Sequence, residues 1–228
     1  CMELIRIRAE GMPIQYIIGK QEFMSLSFKV TPDVLIPRAD TEVLVEYVIK
    51  ESQYSKEQGL KIMDIGTGSG CIAISLAYYI KNSSVWAIDV SSKALEICRW
   101  NAEQNGVDDR MCFIRQDVLK KFPDINRDKP FDVIVSNPPY IPARVIDELQ
   151  TEVKDYEPRI ALDGGQDGLI FYRRIVSEAY KYLKPGGLIA FEVGHDQSDS
   201  VVRLMEQRGH YDGIEIIRDY AGIKRVVA

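Results

Sequence analysis

Histidine and cysteine are scarce in this chain, and a basic excess and a long apolar run are missing altogether. Its 228 residues include two histidines and four cysteines. Cys1, Cys71, Cys98 and Cys112 form no CxxC pair and sit mostly in apolar contexts. They read as reduced core residues, neither a disulfide frame nor a zinc site. His195 and His210 alone cannot furnish a histidine-based centre, so no metal is expected. The formal net charge of −5 argues against a protein whose main task is gripping duplex nucleic acid, and no direct nucleic-acid contact is expected. No apolar run reaches membrane-spanning length and no signal peptide is visible, which makes a cytoplasmic location without membrane contact the expectation. Internal repeats and low-complexity tracts are lacking too.

What is present is ordinary for a globular protein, 46% hydrophobic and 28% charged. The length suits one substantial α/β domain with a short accessory segment. Residues 1–11 read as the last turns of a helix with Gly11 as its stop. Because the chain opens in what looks like mid-helix, a preceding helical domain is expected outside it. Two β-like pieces, 21–24 and 27–30, flank a turn at Ser25-Leu26 and resemble a small hairpin or lid. Asp40 or Thr41 is a candidate cap for a helix whose Val43, Leu44, Tyr47 and Val48 fall at helical spacing. From residue 60, strands at 61–65, 85–89, 112–116, 131–136 and 188–193 are interleaved with helices at 72–80, 92–104, 169–183 and 198–207. A pair at 214–218 and 225–227 closes the chain. This succession predicts an α/β, Rossmann-like fold with a doubly wound, mostly parallel seven-stranded sheet, preceded by the hairpin. The division expected is 1–37 as helix end and hairpin, and 38–228 as the main domain.

The stretch 131–140 runs as a buried strand into Ser136-Asn137-Pro138-Pro139-Tyr140. Two prolines end the strand, since neither donates a ladder hydrogen bond. An amide, main-chain carbonyls on a stiff support and an aromatic ring remain at the carboxyl end. That set suits a planar NH2 group, with two acceptors for its hydrogens and a ring against its face. A proline-rich turn without chemistry is the plain alternative.

A second constellation follows the first long strand: Asp64-Ile65-Gly66-Thr67-Gly68-Ser69-Gly70 before a helix. The glycines allow a ligand to approach the backbone. Their spacing, G-x-G-x-G, departs from the dinucleotide fingerprint, whose third glycine would fall at Cys71. An acid just ahead, Asp64, suits a cationic ligand end such as an amino-acid ammonium. Asp89 ends the next strand, where a carboxylate can accept ribose hydroxyls. After the third, Asp117 can accept from an adenine amino group while Val118 packs on the ring. Three acids at three successive strand ends fit S-adenosyl-L-methionine.

With these residues in place, the chain resembles the HemK/PrmC family of protein-glutamine methyltransferases, within the class I S-adenosylmethionine-dependent fold. The markers run from Gly11-Met12-Pro13-Ile14-Gln15-Tyr16 through 36–42, 64–70 and 136–141 to Ala161-Leu162-Asp163-Gly164-Gly165, Glu192-Val193-Gly194 and Asp219-Tyr220. The resemblance implies cofactor contacts from Gly66, Thr67, Gly68, Ser69, Gly70, Asp89, Val118 and Asn137. It implies contacts of Asn137, Pro138, Pro139 and Tyr140 with a substrate amide, the glutamine of the Gly-Gly-Gln motif in class I peptide chain release factors. The product would be S-adenosyl-L-homocysteine and the protein a monomer. Arg38, Asp40 and Glu42 are candidates for the substrate entrance. Ala39 stands where the family commonly has proline. Two rivals remain: an adenine amino-methyltransferase on DNA or RNA, for which the chain lacks a basic track, and a non-catalytic regulator of translation termination, which would need no amide clamp. Gly164-Gly165-Gln166 copies the substrate tripeptide and reads as a loop coincidence.

Overall fold

The computed structural model describes residues 2–52, 59–125 and 130–228, so Cys1 lies outside the described residues. A helix α1 (Met2–Ala9) stops ahead of Gly11, as the sequence predicts, and a short α2 (Ile14–Ile18) leads into the hairpin β1 (Lys20–Phe23) and β2 (Leu26–Lys29). The turn falls at Met24-Ser25, one residue earlier than expected. Both residues have left-handed φ, 50° and 58°, the pair of positive values that suits a two-residue hairpin loop. Burial decides this register. Phe23 pairs with Leu26, and both face the core together with Phe28. A turn at 25–26 would take Leu26 out of the core. The turn is also tied down, since the Met24 amide donates to Glu42 at 2.6 Å and the Tyr79 hydroxyl donates to the Met24 carbonyl at 2.7 Å.

A 3-10 turn (Ala39–Thr41) then opens α3 (Glu42–Ser52). Among the described residues, neither the Asp40 nor the Thr41 side chain makes a capping hydrogen bond to it, contrary to expectation. Asp40 pairs with Arg225 at 2.9 Å, and the buried Thr41 hydroxyl accepts from Asn137 at 3.3 Å. Long-range partners have claimed both side chains.

The βα series follows: β3 (Leu60–Ile65), α4 (Cys71–Tyr79), β4 (Ser83–Asp89), α5 (Ser92–Gln104), β5 (Met111–Arg115), β6 (Phe131–Ser136), α6 (Thr151–Lys154), α7 (Ile170–Ala179), β7 (Leu183–Glu192), α8 (Ser198–Arg208), β8 (Ile216–Arg218) and β9 (Lys224–Val227). The strand order is β5-β4-β3-β6-β7-β9-β8. β5 through β7 run parallel, and β9 lies antiparallel to both β7 and β8. This is the mostly parallel seven-stranded sheet that the succession of strands and helices predicts. Alternation along the strands explains the helices on both faces. Ile62, Val133 and Val135 point into one core with α3, α4 and α5, while Met63, Ile65 and Ile134 point into the other with α7 and α8. The hairpin's Phe23 and Phe28 belong to the first core. The buried Asn101 of α5 fastens it further, pairing with both main-chain groups of Lys29 and with the Ser69 carbonyl.

Two further expectations change. The helix predicted to reach 183 ends at Ala179, because Tyr182 and Leu183 already pair with Phe131. The Pro185-Gly186-Gly187 stretch is therefore a bulge within β7, not a turn before it. Cys98 is buried as expected, but Cys112 is exposed on the edge strand β5. Among the described residues, no helix is long and apolar enough to cross a membrane.

The left-handed Ser25 gives a direct test of the hairpin. Ser25→Gly removes a Cβ penalty of about 1–2 kcal/mol, so the midpoint of urea unfolding should rise by an amount equivalent to a few tenths to about 1 kcal/mol after the entropic cost of glycine, roughly 0.5–1 kcal/mol, is subtracted.

Candidate active site

Running outward from the centre of the sheet, β3, β4 and β5 succeed one another on one side, and β6 and β7 on the other. The order reverses between β3 and β6, and in such sheets the crevice outside the carboxyl ends at this switch point takes the ligand. Here a cavity of about 210 Å³ opens at that place. Four successive strand ends wall it: Gly66 and Gly68 after β3, Asp89 at the end of β4, Asp117 and Val118 after β5, and Asn137 with both prolines after β6. Asp33, Val34 and Leu35 close it from the segment after the hairpin, and Pro158, Ile160 and Ala161 from the connection between β6 and α7. A larger groove of about 790 Å³ lies near the opposite strand ends, beside Leu60, Asp132 and Lys184. His210 and Tyr47 line it, but none of the candidate site residues of the sequence does.

The glycine loop shows two different reasons for glycine. Gly66 and Gly68 have φ of 78° and 54°, and a Cβ on either would meet nothing within 4 Å. Their bare backbone faces open space at the cavity. At Gly70, by contrast, a Cβ would stand 2.5 Å from Cys98 Sγ and 2.7 Å from Ile74 Cδ1. Gly70 therefore serves the packing of α4 onto α5. The loop is pinned by the Gly66 and Thr67 amides donating to the Ile88 carbonyl, at 2.8 and 3.0 Å. Asp89 steadies its tip, accepting from the Gly68 amide and the Ser91 amide at 2.9 Å each. Burial raises the Asp89 pKa, with those amides opposing.

Asp64 is not on the cavity wall. It is fully buried beneath the loop, where its Oδ2 accepts from Thr67 Oγ1 at 2.7 Å and its Oδ1 has no hydrogen-bond partner among the described residues. Burial pushes its pKa up to about 7; the Thr67 hydroxyl opposes this and the charge on Asp89 adds to it. Thr67, Ser69 and Gly70 likewise support the loop from below, Thr67 and Ser69 being buried. Asp117 caps its own turn through the Leu119 amide at 3.1 Å and keeps its place on the wall. Val118 is held through its carbonyl, which accepts from Arg174 at 2.9 Å.

The strand-ending tetrapeptide is braced from both sides. Ser136 Oγ donates to the Ile65 carbonyl at 2.6 Å, locking the end of β6 to β3. Beyond it Ile141 exchanges main-chain hydrogen bonds with Leu162 and Gly164, and Gln197 donates to the Tyr140 carbonyl at 2.8 Å. A Cβ on Gly164 would stand 2.8 Å from Tyr140 Cα, so this close approach needs glycine. Asn137 and both prolines reach the cavity, whereas Tyr140 packs behind them against the α7 core. Burial pushes the Tyr140 pKa up to about 12. Arg38 also stays off the wall. One guanidinium nitrogen lies 2.7 Å from both oxygens of the buried Glu157. Burial raises the Glu157 pKa and Arg38 opposes it. His195 is exposed, in keeping with a solvated loop residue.

Several contributors escaped the sequence reading. Tyr16 fixes the 33–35 wall by donating to the Val34 carbonyl at 2.6 Å. Gln197 and Asn101 hold backbone at the site. Glu192, at the end of β7, is buried beside Thr41 and Asn137. Glu192 and Tyr16 lay inside quoted marker segments, but only their long-range partners assign them a task.

Comparison with known proteins adds an independent line. A methyltransferase-domain family model matches residues 56–217. The release factor glutamine methyltransferase of Clostridium acetobutylicum is 45% identical over 225 residues, 99% of this chain and 77% of its own length. That of Moorella thermoacetica is 45% identical over 218 residues, 96% of this chain and 75% of its own. Among solved structures, the release factor-specific protein-(glutamine-N5) methyltransferase of Alicyclobacillus acidocaldarius is 35% identical, with a TM-score of 0.54 over 88% of this chain and 96% of that one. The hMettl16 catalytic domain, solved with an RNA hairpin, has a TM-score of 0.67 over 98% of this chain and 91% of its own at 13% identity, a likeness of fold alone.

The buried Asp64 supplies a test of the site's electrostatics. Its folded pKa, about 7, lies above the usual carboxylate value of 3.8, so the folded state holds a proton that the unfolded state has released, and stability falls as pH rises between these values. Asp64→Asn removes the charge. Its melting temperature relative to the parent should therefore be higher at pH 8 than at pH 5. An equal difference at both pH values would show that Asp64 is ionised throughout.

Proposed function

The chain belongs to the family of release factor glutamine methyltransferases, and from that membership we propose how its switch-point cavity carries out the family's reaction. The enzyme is a protein-glutamine methyltransferase: it transfers a methyl group to the side-chain amide nitrogen of the glutamine in the Gly-Gly-Gln motif of class I release factors. The observation that carries the reading of the site is the convergence of the Gly66/Gly68 backbone, Asp89, Asp117 and Asn137 on one cavity.

S-adenosylmethionine suits the cavity wall on its own chemistry. The open Cβ positions of Gly66 and Gly68 leave room for a ligand against the loop. Asp89 retains lone pairs for ribose hydroxyls, and Asp117 offers an acceptor beside the apolar surface of Val118 and Phe171. Asp64, buried with an unpartnered oxygen below the loop, is a carboxyl whose charged form a cationic ligand end would favour. When bound, the cofactor supplies an electrophilic methyl group on a sulfonium.

The chain's own residues address the harder half of the reaction. An amide nitrogen is a poor nucleophile because its lone pair is delocalised into the carbonyl. In our reading Asn137 Oδ1 and the Pro138 carbonyl each accept one N–H of the glutamine, aiming the nitrogen and favouring its pyramidalisation. Pro138 and Pro139 keep the carbonyl direction fixed, having little freedom in φ. Such positioning can account for roughly 7–11 kcal/mol of a barrier. The same dipoles stabilise positive charge developing on nitrogen. The segment 1–37 with its hairpin and the Arg38–Glu157 pair would shape the entrance for the release factor loop, with 38–228 as the catalytic domain.

The test is to incubate the protein with S-adenosylmethionine and a class I release factor and to map the product by mass spectrometry. Methyl should appear on the Gly-Gly-Gln glutamine. Asn137→Ala should lower kcat by roughly 100- to 1,000-fold, the usual loss for one preorganised group aimed at a transition state, a far larger change than in calorimetric cofactor affinity. Near-normal turnover in Asn137→Ala would remove the clamp. Methylation of adenine in nucleic acid, with the release factor untouched, would favour the adenine amino-methyltransferase rival.

A further inference from the structure

Behind the cavity, Asn137 faces a buried polar cluster that the mechanism above does not use. Its Nδ2 donates to Thr41 Oγ1 at 3.3 Å. Next to both stands Glu192, only 2% exposed, whose charged form the Thr41 hydroxyl and the Asn137 amide both favour. Glu192 Oε2 has no hydrogen-bond partner among the described residues. The carboxylate does not line the cavity. Its register explains the proximity: Phe191 pairs with Ser136, which puts Glu192, the last residue of β7, beside Asn137, the first residue after β6.

The donor-acceptor logic of this cluster has one consistent solution. A hydroxyl can donate or accept, so Thr41 alone does not decide which end of the Asn137 amide it meets. An ionised carboxylate can only accept. Beside Thr41 it takes the hydroxyl hydrogen, leaves the hydroxyl oxygen as acceptor, and thereby requires Asn137 to turn its NH2 inward. Building on the role given to Asn137 above, we infer that Glu192 is a positioning residue that holds the Asn137 amide with Oδ1 toward the substrate glutamine. Were the amide reversed, two NH2 groups would face each other and the clamp would lose an acceptor.

The arrangement makes the clamp pH-dependent. Burial pushes the Glu192 pKa up to about 7; Thr41, Arg225 and Asn137 oppose this, and Asp40 adds to it. The titratable and charged groups around it are Asp40 from the 3-10 turn, Arg225 from β9, Tyr140 after β6, Tyr172 from α7 and Cys71 from α4. Arg225 is itself held by Asp40 at 2.9 Å and Asp219 at 3.3 Å. Below the pKa, a protonated Glu192 can donate to Thr41 and no longer dictates the direction of the chain. Turnover should therefore rise as pH increases through about 7.

Glu192→Gln tests this with little change in volume, because a glutamine can donate as well as accept. At pH 8 its kcat should fall about 10- to 100-fold, the scale of one hydrogen bond to a charged group. Cofactor affinity should stay within about twofold and the melting temperature should not drop, which separates the effect from misfolding. The activity step through pH 7 seen in the parent should be absent in the variant. A second readout needs no turnover: the side-chain NH2 signals of Asn137 in the 15N-labelled substrate-free protein, assigned by their loss in Asn137→Ala. These should shift with pH through about 7 in the parent and stay still in Glu192→Gln. Parent-like turnover of Glu192→Gln at all pH values, or Asn137 signals indifferent to pH between 6 and 8, would overturn the proposal. If the parent itself leaves the release factor unmodified, the functional reading fails, and the NMR titration still decides whether Glu192 governs the amide.

Discussion

The pairing of Ile65 with Ser136 is the constraint on which the site depends. It places the first residue of the glycine loop beside Asn137, so the two segments marked in the sequence share one crevice although 71 residues separate the paired positions. The Ser136 hydroxyl donating to the Ile65 carbonyl reinforces that register at the last rung. A slip of one residue would exchange the two core faces and turn Ile134 toward the helices that now cover Val133 and Val135. Register is thus secured by a large amount of buried apolar surface, and the chemistry at the strand ends inherits its precision from that surface.

Against this well-packed frame, two carboxyl groups are placed where burial disfavours their charge. Asp64 lies at the end of β3 beneath the glycine loop, and Glu192 at the end of β7 behind Asn137. Each has a pKa near 7 and one oxygen without a hydrogen-bond partner among the described residues. A frame built only for stability would put apolar or neutral groups at both places. Their occurrence behind the wall of one cavity fits the general tendency for perturbed acids to gather at functional sites. In the present reading the costs are separate: one tunes the loop that would hold a cationic ligand, the other fixes the direction of a hydrogen-bond chain ending at the substrate.

The alternation of strands and helices was legible because each signal is local. A buried strand shows as an apolar run, a helix as 3.6-residue spacing, and a proline pair as a stop. The same locality made Gly66–Gly70, Asp89, Asp117 and Asn137–Tyr140 visible as candidate chemistry. It failed wherever a distant partner decides. Asp40 and Thr41 look like helix caps until Arg225 and Asn137 claim them. Residues 184–187 look like a turn before a strand, until the pairing of Leu183 with Phe131 makes them a bulge within it. The hairpin turn was displaced by one residue because the burial of Leu26 overrode the expected loop position. Gln197, Asn101 and Tyr16 carry no sequence signal of their own, since each acts by holding another residue's backbone.

Fold likeness and family membership carry different information here. A catalytic domain solved with RNA overlays on this chain with a TM-score of 0.67 at 13% identity, higher than the 0.54 of a glutamine methyltransferase at 35%. The seven-stranded frame and its switch point are therefore shared by chains of very different sequence, and the frame alone does not name an acceptor. What can discriminate among them lies outside the βα repeat, in the walls that the frame does not dictate. Residues 33–35 are held by Tyr16, 158–161 follow the buried Glu157, and Arg38 ties the stretch after the hairpin to that same acid. These walls are mostly backbone and apolar side chains on a chain of net negative charge. They suit an extended peptide whose glycines let its backbone come close more than a polyphosphate backbone that needs cations along its path. If Asn137 and Pro138 clamp the amide as proposed, the clamp answers only to a planar NH2 group, and specificity for a protein loop would follow from the material around it.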